Sequence, residues 1–170
     1  IKIGLQKNVR HFALSFANQG SDVALMRDLA GPQAKIISKI ESRSALNNLS
    51  EIIKLTDEIL IDRGDLSRQI PIQKIPLLQR LIIDKSRSLN VPVFVATNLL
   101  ESMVSTKDPT RAEVNDVVSS LLMGADGLVL AAETAIGKYP VEAVKMTKQL
   151  IKEAENWTDQ ISIHDVLKNN

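Results

Sequence analysis

KIISKIESRSALNNLSEIIKLTDEILIDRGD, residues 35–65, reads as a strand, a helix and a second strand in close succession. Lys35 to Glu41 is an isoleucine-rich run of strand length. Between Ser44 and Ile53, Leu46, Leu49, Ile52 and Ile53 recur at helical spacing, and Glu58 to Asp62 returns to an apolar strand. A strand, a helix and a strand in so short a span pair in parallel, with the helix as the crossover. The same beat continues outward. On the N-terminal side it predicts a strand over Phe12–Phe16 and a helix over Ser21–Leu29 with Ser21 or Asp22 near its N-cap. On the C-terminal side it predicts a helix over Gln73–Leu89, with Leu77, Leu78, Leu81 and Ile82 on one face, and a strand over Val91–Ala96. A helix over Arg111–Met123, a strand over Gly127–Ala131 and a helix over Val141–Glu155 complete the series. Thr110 and Glu113 have the spacing of a capping box ahead of the penultimate helix. The opening Ile1–Leu5 reads as strand-like, and with no initiator Met it suggests a piece of a longer chain.

Five such units make a parallel α/β domain. An open dinucleotide-binding sheet would carry a glycine fingerprint at its first strand-helix turn, but Gly4, Gly20 and Gly31 stand alone. Polar residues instead end several different strands: Ser15, Glu41, Asp65, Thr97 and Glu133. That distribution is the habit of barrel enzymes. The expected fold is therefore a partial TIM (β/α)8 barrel of about five strand-helix units, completed by parts of the parent chain outside these residues. Residues 1–156 form the barrel segment, and residues 157–170 a more polar tail or linker in which the lone Trp157 is expected to anchor by packing.

Composition narrows the function classes. The 170 residues are 44% hydrophobic, enough for a sizeable core, and 21 basic against 20 acidic side chains leave a formal charge of +1 without a long basic run. Nucleic acid and membrane partners have no support in that balance. Cysteine is absent, which removes disulfides, thiolate nucleophiles and cysteine-ligated metal. His11 and His164 lack ligand spacing and are expected to be structural or superficial, and no Ser-His-Asp or HExxH arrangement can be drawn.

Glu41 and Asp65 each follow a strand, so in one sheet both carboxylates come to the same edge and can hold a hard cation through oxygen. The plainer alternative is a pair of ordinary capping acids. Asp62 competes with Asp65 for the metal role, or stands inside the barrel as a supporting acid. Lys39, two residues before Glu41, shares its side of the strand and either pairs with Glu41 or neutralises a phosphate or a developing enolate. Gly64 either permits close approach of backbone amides to a carboxylate or simply makes a turn. Thr97 either hydrogen-bonds a substrate or caps the segment after it. The loop Gly137–Pro140 suits a phosphate but lacks the full P-loop pattern.

Several stretches together resemble the second half of the catalytic barrel of pyruvate kinase. They are Phe12–Phe16, Ile36–Glu41, Arg63-Gly64-Asp65-Leu66, Ala96-Thr97, Leu100–Met103, Pro109–Glu113 and Glu133–Val144, in family order from about residue 1 to 155. The resemblance implies that Glu41 and Asp65 are ligands of Mg2+ or Mn2+, and that Lys39 contacts the transferred phosphoryl group. It implies that Thr97 and the Gly64–Asp65 backbone bind the substrate carboxylate. The implied reaction moves phosphoryl from phosphoenolpyruvate to ADP, giving pyruvate and ATP. K+ is a further cofactor expected of the complete parent, which the resemblance makes a homo-oligomer of the cytoplasm, or of the plastid stroma in a photosynthetic eukaryote. The family's early strands, its lid domain and its C-terminal domain have no counterpart here, so this segment is expected to be inactive alone.

Departures from the family pattern give two alternatives their basis. Ser42 stands where Asn is usual, Asp62 where Ala precedes Arg-Gly-Asp, and Ser67 where Gly follows Leu66. Asn98 stands where Gln is usual, and Ala131-Ala132 where Ser-Gly is usual. The alternatives are a catalytically degenerate relative with a regulatory or scaffold role, and another metal-dependent barrel enzyme acting on phosphoenolpyruvate or a 2-oxo acid.

Overall fold

The structure is a computed structural model that describes residues 1–168. After the short helix α1 (Lys2–Gln6), strands and helices alternate. They run β1 (His11–Leu14), α2 (Gly20–Ala30), β2 (Lys35–Ile40), α3 (Arg43–Asn47), α4 (Leu49–Leu55), β3 (Glu58–Asp62), α5 (Arg63–Gln69) and α6 (Ile75–Ser88). β4 (Val93–Ala96), α7 (Arg111–Leu122), β5 (Gly127–Val129), α8 (Ala132–Ala135), α9 (Pro140–Glu155) and α10 (Ile163–Lys168) follow. The strands form one parallel sheet in the order β1-β2-β3-β4-β5. An order that never reverses, with every crossover of one hand, keeps the helices on one face and bends the sheet into part of a barrel. The fold is a partial parallel α/β barrel, completed elsewhere.

Alternation along the strands divides the residues between the two faces. Ile36, Ile40, Ile59, Ile61, Val93 and Val95 are fully buried against Val23, Ile52, Ile53, Ile82, Ile83 and Val117 of the helical layer. On the opposite face the register aligns Lys39 with Leu60, Leu60 with Phe94 and Phe94 with Gly127. These residues are only half-buried, as the lining of an unclosed barrel should be.

Some expectations are corrected. Ile1–Leu5 is not a strand: the segment satisfies its own backbone through bonds such as Leu5 N–H to Ile1 C=O at 2.9 Å, and it joins none of the described strands in the sheet. The N-cap of α2 is Gln19, with Ser21 and Asp22 close after it as expected, and Asp22 accepts from the Gln19 N–H at 3.1 Å. The expected helix over Ser44–Ile53 divides at Asn48 into α3 and α4. In α6 the buried face is Ile75, Gln79, Ile82, Ile83 and Ser86, while Leu77 and Leu81 are over 60% exposed. Gln79 conceals this stripe in the sequence: a polar residue on the core side, it is held by a 2.9 Å bond to Ser120 Oγ. Trp157 follows the end of α9 and is 53% exposed, so it is no packing anchor. His11 and His164 are both exposed.

Candidate metal and phosphate site

The C-terminal ends of β2, β3 and β4 bring the candidate residues together. Lys39 and Asp62 lie on the same face of neighbouring strands, since Lys39 pairs with Leu60, and the Lys39 ammonium stands 3.1 Å from Asp62 Oδ2. It also makes a close ion pair with Glu41 Oε1. The salt bridge weighed as the plain role of Lys39 is thus present, with a second carboxylate in it. Burial pulls the Lys39 pKa down, but hydrogen bonds and charge from Glu41 and Asp62 outweigh it and leave the ammonium's pKa above its ordinary value.

Glu41 is completely buried. Its Oε2 accepts from the Phe16 N–H at 2.6 Å, and its Oε1 is taken by the Lys39 ammonium. The Phe16 backbone is left-handed, φ 51°, which aims that amide at the carboxylate. The carboxylates of Glu41, Asp62 and Asp65 each place one oxygen within 4.8 Å of the others, a donor set of oxygen alone. Three carboxylates sharing one ammonium, with oxygen as their only donor atom, fit a hard divalent cation.

Asp62 is the N-cap of α5, its Oδ1 accepting from the Asp65 N–H at 3.4 Å. Asp65 sits in the first turn of that helix, where a carboxylate is favoured by the helix dipole, and pairs outward with Arg68 at 3.2 Å. Gly64 does not adopt a left-handed backbone; what it gives is close approach. A Cβ there would meet Thr97 Oγ1 at 3.3 Å, and the Gly64 N–H donates to that oxygen at 2.7 Å. Thr97 is where the backbone departs: φ is 68° there and 53° at Asn98, rare values for a β-branched side chain. Conformations of this kind cost about 1–3 kcal/mol and persist only where the surroundings hold them.

Arg63 holds this one. Its guanidinium donates to the Thr97 carbonyl at 2.7 and 3.2 Å and to the Asn98 carbonyl at 3.2 Å, and pairs with Asp116 on α7 at 2.6 Å. Neither Arg63 nor the turn it fixes stood out in the sequence. The one available signal was an arginine beside the acidic pair and close to the sheet edge, where it would need a partner.

Glu133, also at a strand end, is 1% exposed and stands apart from this cluster. Its two oxygens accept from the buried Leu100 N–H at 3.0 Å and the Ala131 N–H at 2.8 Å, so it braces two loops. The Thr110–Glu113 capping box is present, and Glu113 additionally accepts from the Ser102 N–H and Oγ–H at 2.7 and 2.6 Å. Gly137, in the loop considered for phosphate, is tight against backbone: a Cβ would fall 2.3 Å from the Glu133 carbonyl oxygen.

Residues 1–144 match the family model described as pyruvate kinase, barrel domain. Among curated proteins the chain is 46% identical over 158 residues to the pyruvate kinase of Thermotoga maritima, covering 91% of this chain and 34% of that protein. It is 43% identical over 155 residues to that of Agrobacterium vitis, covering 91% and 32%. With human pyruvate kinase PKLR it shares 42% over 158 residues, covering 91% and 28%. The chain thus spans about a third of the length of the curated relatives it matches.

Proposed function

Because the chain belongs to the pyruvate kinase family, through that family's barrel domain, we propose that it is the second half of the catalytic barrel, over residues 1–156, of an enzyme transferring phosphoryl from phosphoenolpyruvate to ADP. The observation that carries this reading is the convergence of Lys39, Glu41, Asp65 and Thr97 at the ends of three adjacent strands.

In this reading Glu41 and Asp65 hold Mg2+ or Mn2+, and the donor set fits, being oxygen alone from three carboxylates gathered at one sheet edge. When bound, such an ion neutralises phosphate and enolate charge. Lys39 presents a permanent positive charge to the transferred phosphoryl group, where electrostatic stabilisation of developing charge counts most. Thr97 orients the substrate carboxylate through its hydroxyl. The Gly64 and Asp65 amides reach that carboxylate by exchanging their internal partners, and the 3.4 Å bond from Asp65 to Asp62 is the weaker of the two. K+, the homo-oligomeric state and a cytoplasmic or plastid location go with the complete parent and rest on family membership. No described helix is long and apolar enough to cross a membrane.

The test is a coupled assay for ATP formation from phosphoenolpyruvate and ADP on the intact parent protein, with Lys39→Ala beside it. Loss of one strong electrostatic contact is expected to lower kcat by about 10²–10³. An inactive parent, or a Lys39→Ala variant as fast as the parent, would refute the reading. A second reading has one specific observation in its favour: the Lys39 ammonium is already shared between Glu41 and Asp62, which suits a relative that binds metal without turnover. An inactive parent that still binds Mn2+ is what that reading expects.

A further inference from the structure

We propose that Asp62 is the specificity residue of this site, a third carboxylate for the cation and a competitor for Lys39, so that it strengthens metal binding and weakens binding of an anionic substrate. The inference rests on the metal role of Glu41 and Asp65 given above. Asp62 lies at the end of β3 on the face that carries Lys39, and at 8% exposure it is not a solvated surface acid. Its position is fixed by three partners: Lys39 at 3.1 Å through Oδ2, and the Thr97 hydroxyl and Asp65 N–H, each at 3.4 Å, through Oδ1. The side chain therefore cannot leave the site without uncapping α5.

Counted as three carboxylates around one ammonium, with the outward Arg68 on Asp65 left aside, the site has a net formal charge of −2. Removing Asp62 would leave −1. A unit charge within a few ångströms acts with opposite sign on the two ligands, favouring a divalent cation and opposing a phosphate or carboxylate. Glu41, buried and ion-paired with Lys39, offers the cation a carboxylate independently of Asp62. Asp62 is a second carboxylate on Lys39 beside Glu41, so an incoming phosphate must displace a carboxylate to gain the ammonium. The site accordingly takes up its cation first and without help from the anionic substrate.

The experiment uses the intact parent protein and reads each ligand alone. Mn2+ binding is followed by electron paramagnetic resonance without substrate, and phosphoenolpyruvate binding by calorimetry after removal of divalent ions. Asp62→Asn keeps an oxygen able to cap α5, and Asp62→Ser is a second capping replacement should Asn fail to fold. The expected result is opposite shifts: the Kd for Mn2+ rises about tenfold and that for phosphoenolpyruvate falls about tenfold. Shifts in the same direction, or both constants within twofold of the parent's, overturn the proposal. Glu41→Gln separates the two levels of the argument. If it abolishes Mn2+ binding while Asp62→Asn changes nothing, only the role of Asp62 fails. If Mn2+ binding survives Glu41→Gln unchanged, the metal site itself fails, and this inference with it.

Discussion

Replacing Glu133 with Ala should loosen the segment after β4 far more than a surface change would. The carboxylate is almost fully buried and accepts two backbone hydrogen bonds, from Leu100 at 3.0 Å and Ala131 at 2.8 Å. Hydrogen bonds to a charged group contribute roughly 1.5–3 kcal/mol each, and the Leu100 amide left behind belongs to a fully buried residue. Taking the low end for both bonds gives about 3 kcal/mol, or about two decades in an equilibrium constant. Glu133→Gln keeps one accepting oxygen and should lose about half of that. The measurement is native-state hydrogen exchange of the intact protein, read at the amides of Leu99 to Met103, since exchange reports local opening. Exchange there should quicken about a hundredfold in the Ala variant and about tenfold in the Gln variant. Rates within threefold of the parent's would refute the brace, whatever happened to the overall melting temperature.

Two further outcomes follow from residues outside the cluster. Gly137→Ala places a Cβ against the Glu133 carbonyl, backbone that cannot rotate away, and should destabilise by at least about 2 kcal/mol; an unchanged Tm would show that the loop has more room than the structure gives it. Glu113 is pushed up by its burial, but the hydrogen bonds from Ser102 and Thr110 outweigh that and hold its pKa below the usual carboxylate range. A carboxyl lowered in the folded state contributes stability that is complete above its unfolded value, about 4.3, and is lost as pH falls through the lower folded value. The gap in Tm between the parent and Glu113→Gln should therefore be constant above about pH 5 and close on further acidification; a gap of the same size at pH 3 and pH 7 would contradict it.

The strands were legible because each is a short apolar run bounded by charge or turn residues, and their bounds differ from the expected ones by a few residues at most. The capping box at Thr110 and Glu113 was equally readable, being a spacing of side chains that acts locally. What escaped depends on tertiary partners. Leu77 and Leu81 fit a helical stripe as well as Ile75, Ile82 and Ile83 do, and only packing decides which side faces the sheet. Asp62 was readable as a rival or supporting acid beside Lys39, Glu41 and Asp65, but its bond to Lys39 comes from strand register. The left-handed turn at Thr97 has no local cause: threonine disfavours it, and the contacts that hold it come from Arg63, thirty-four residues earlier.

Arg63 has a consequence for how such chains can diverge. One guanidinium ties Asp116, on the outer helical layer, to the carbonyls of Thr97 and Asn98 at the sheet edge. A change at position 116 far from any ligand would release one arm of that clamp and let the Thr97 hydroxyl wander relative to Gly64. Positions 63, 97 and 116 thus act as one mechanical unit, through which a change at the helix surface is felt at the chemical edge.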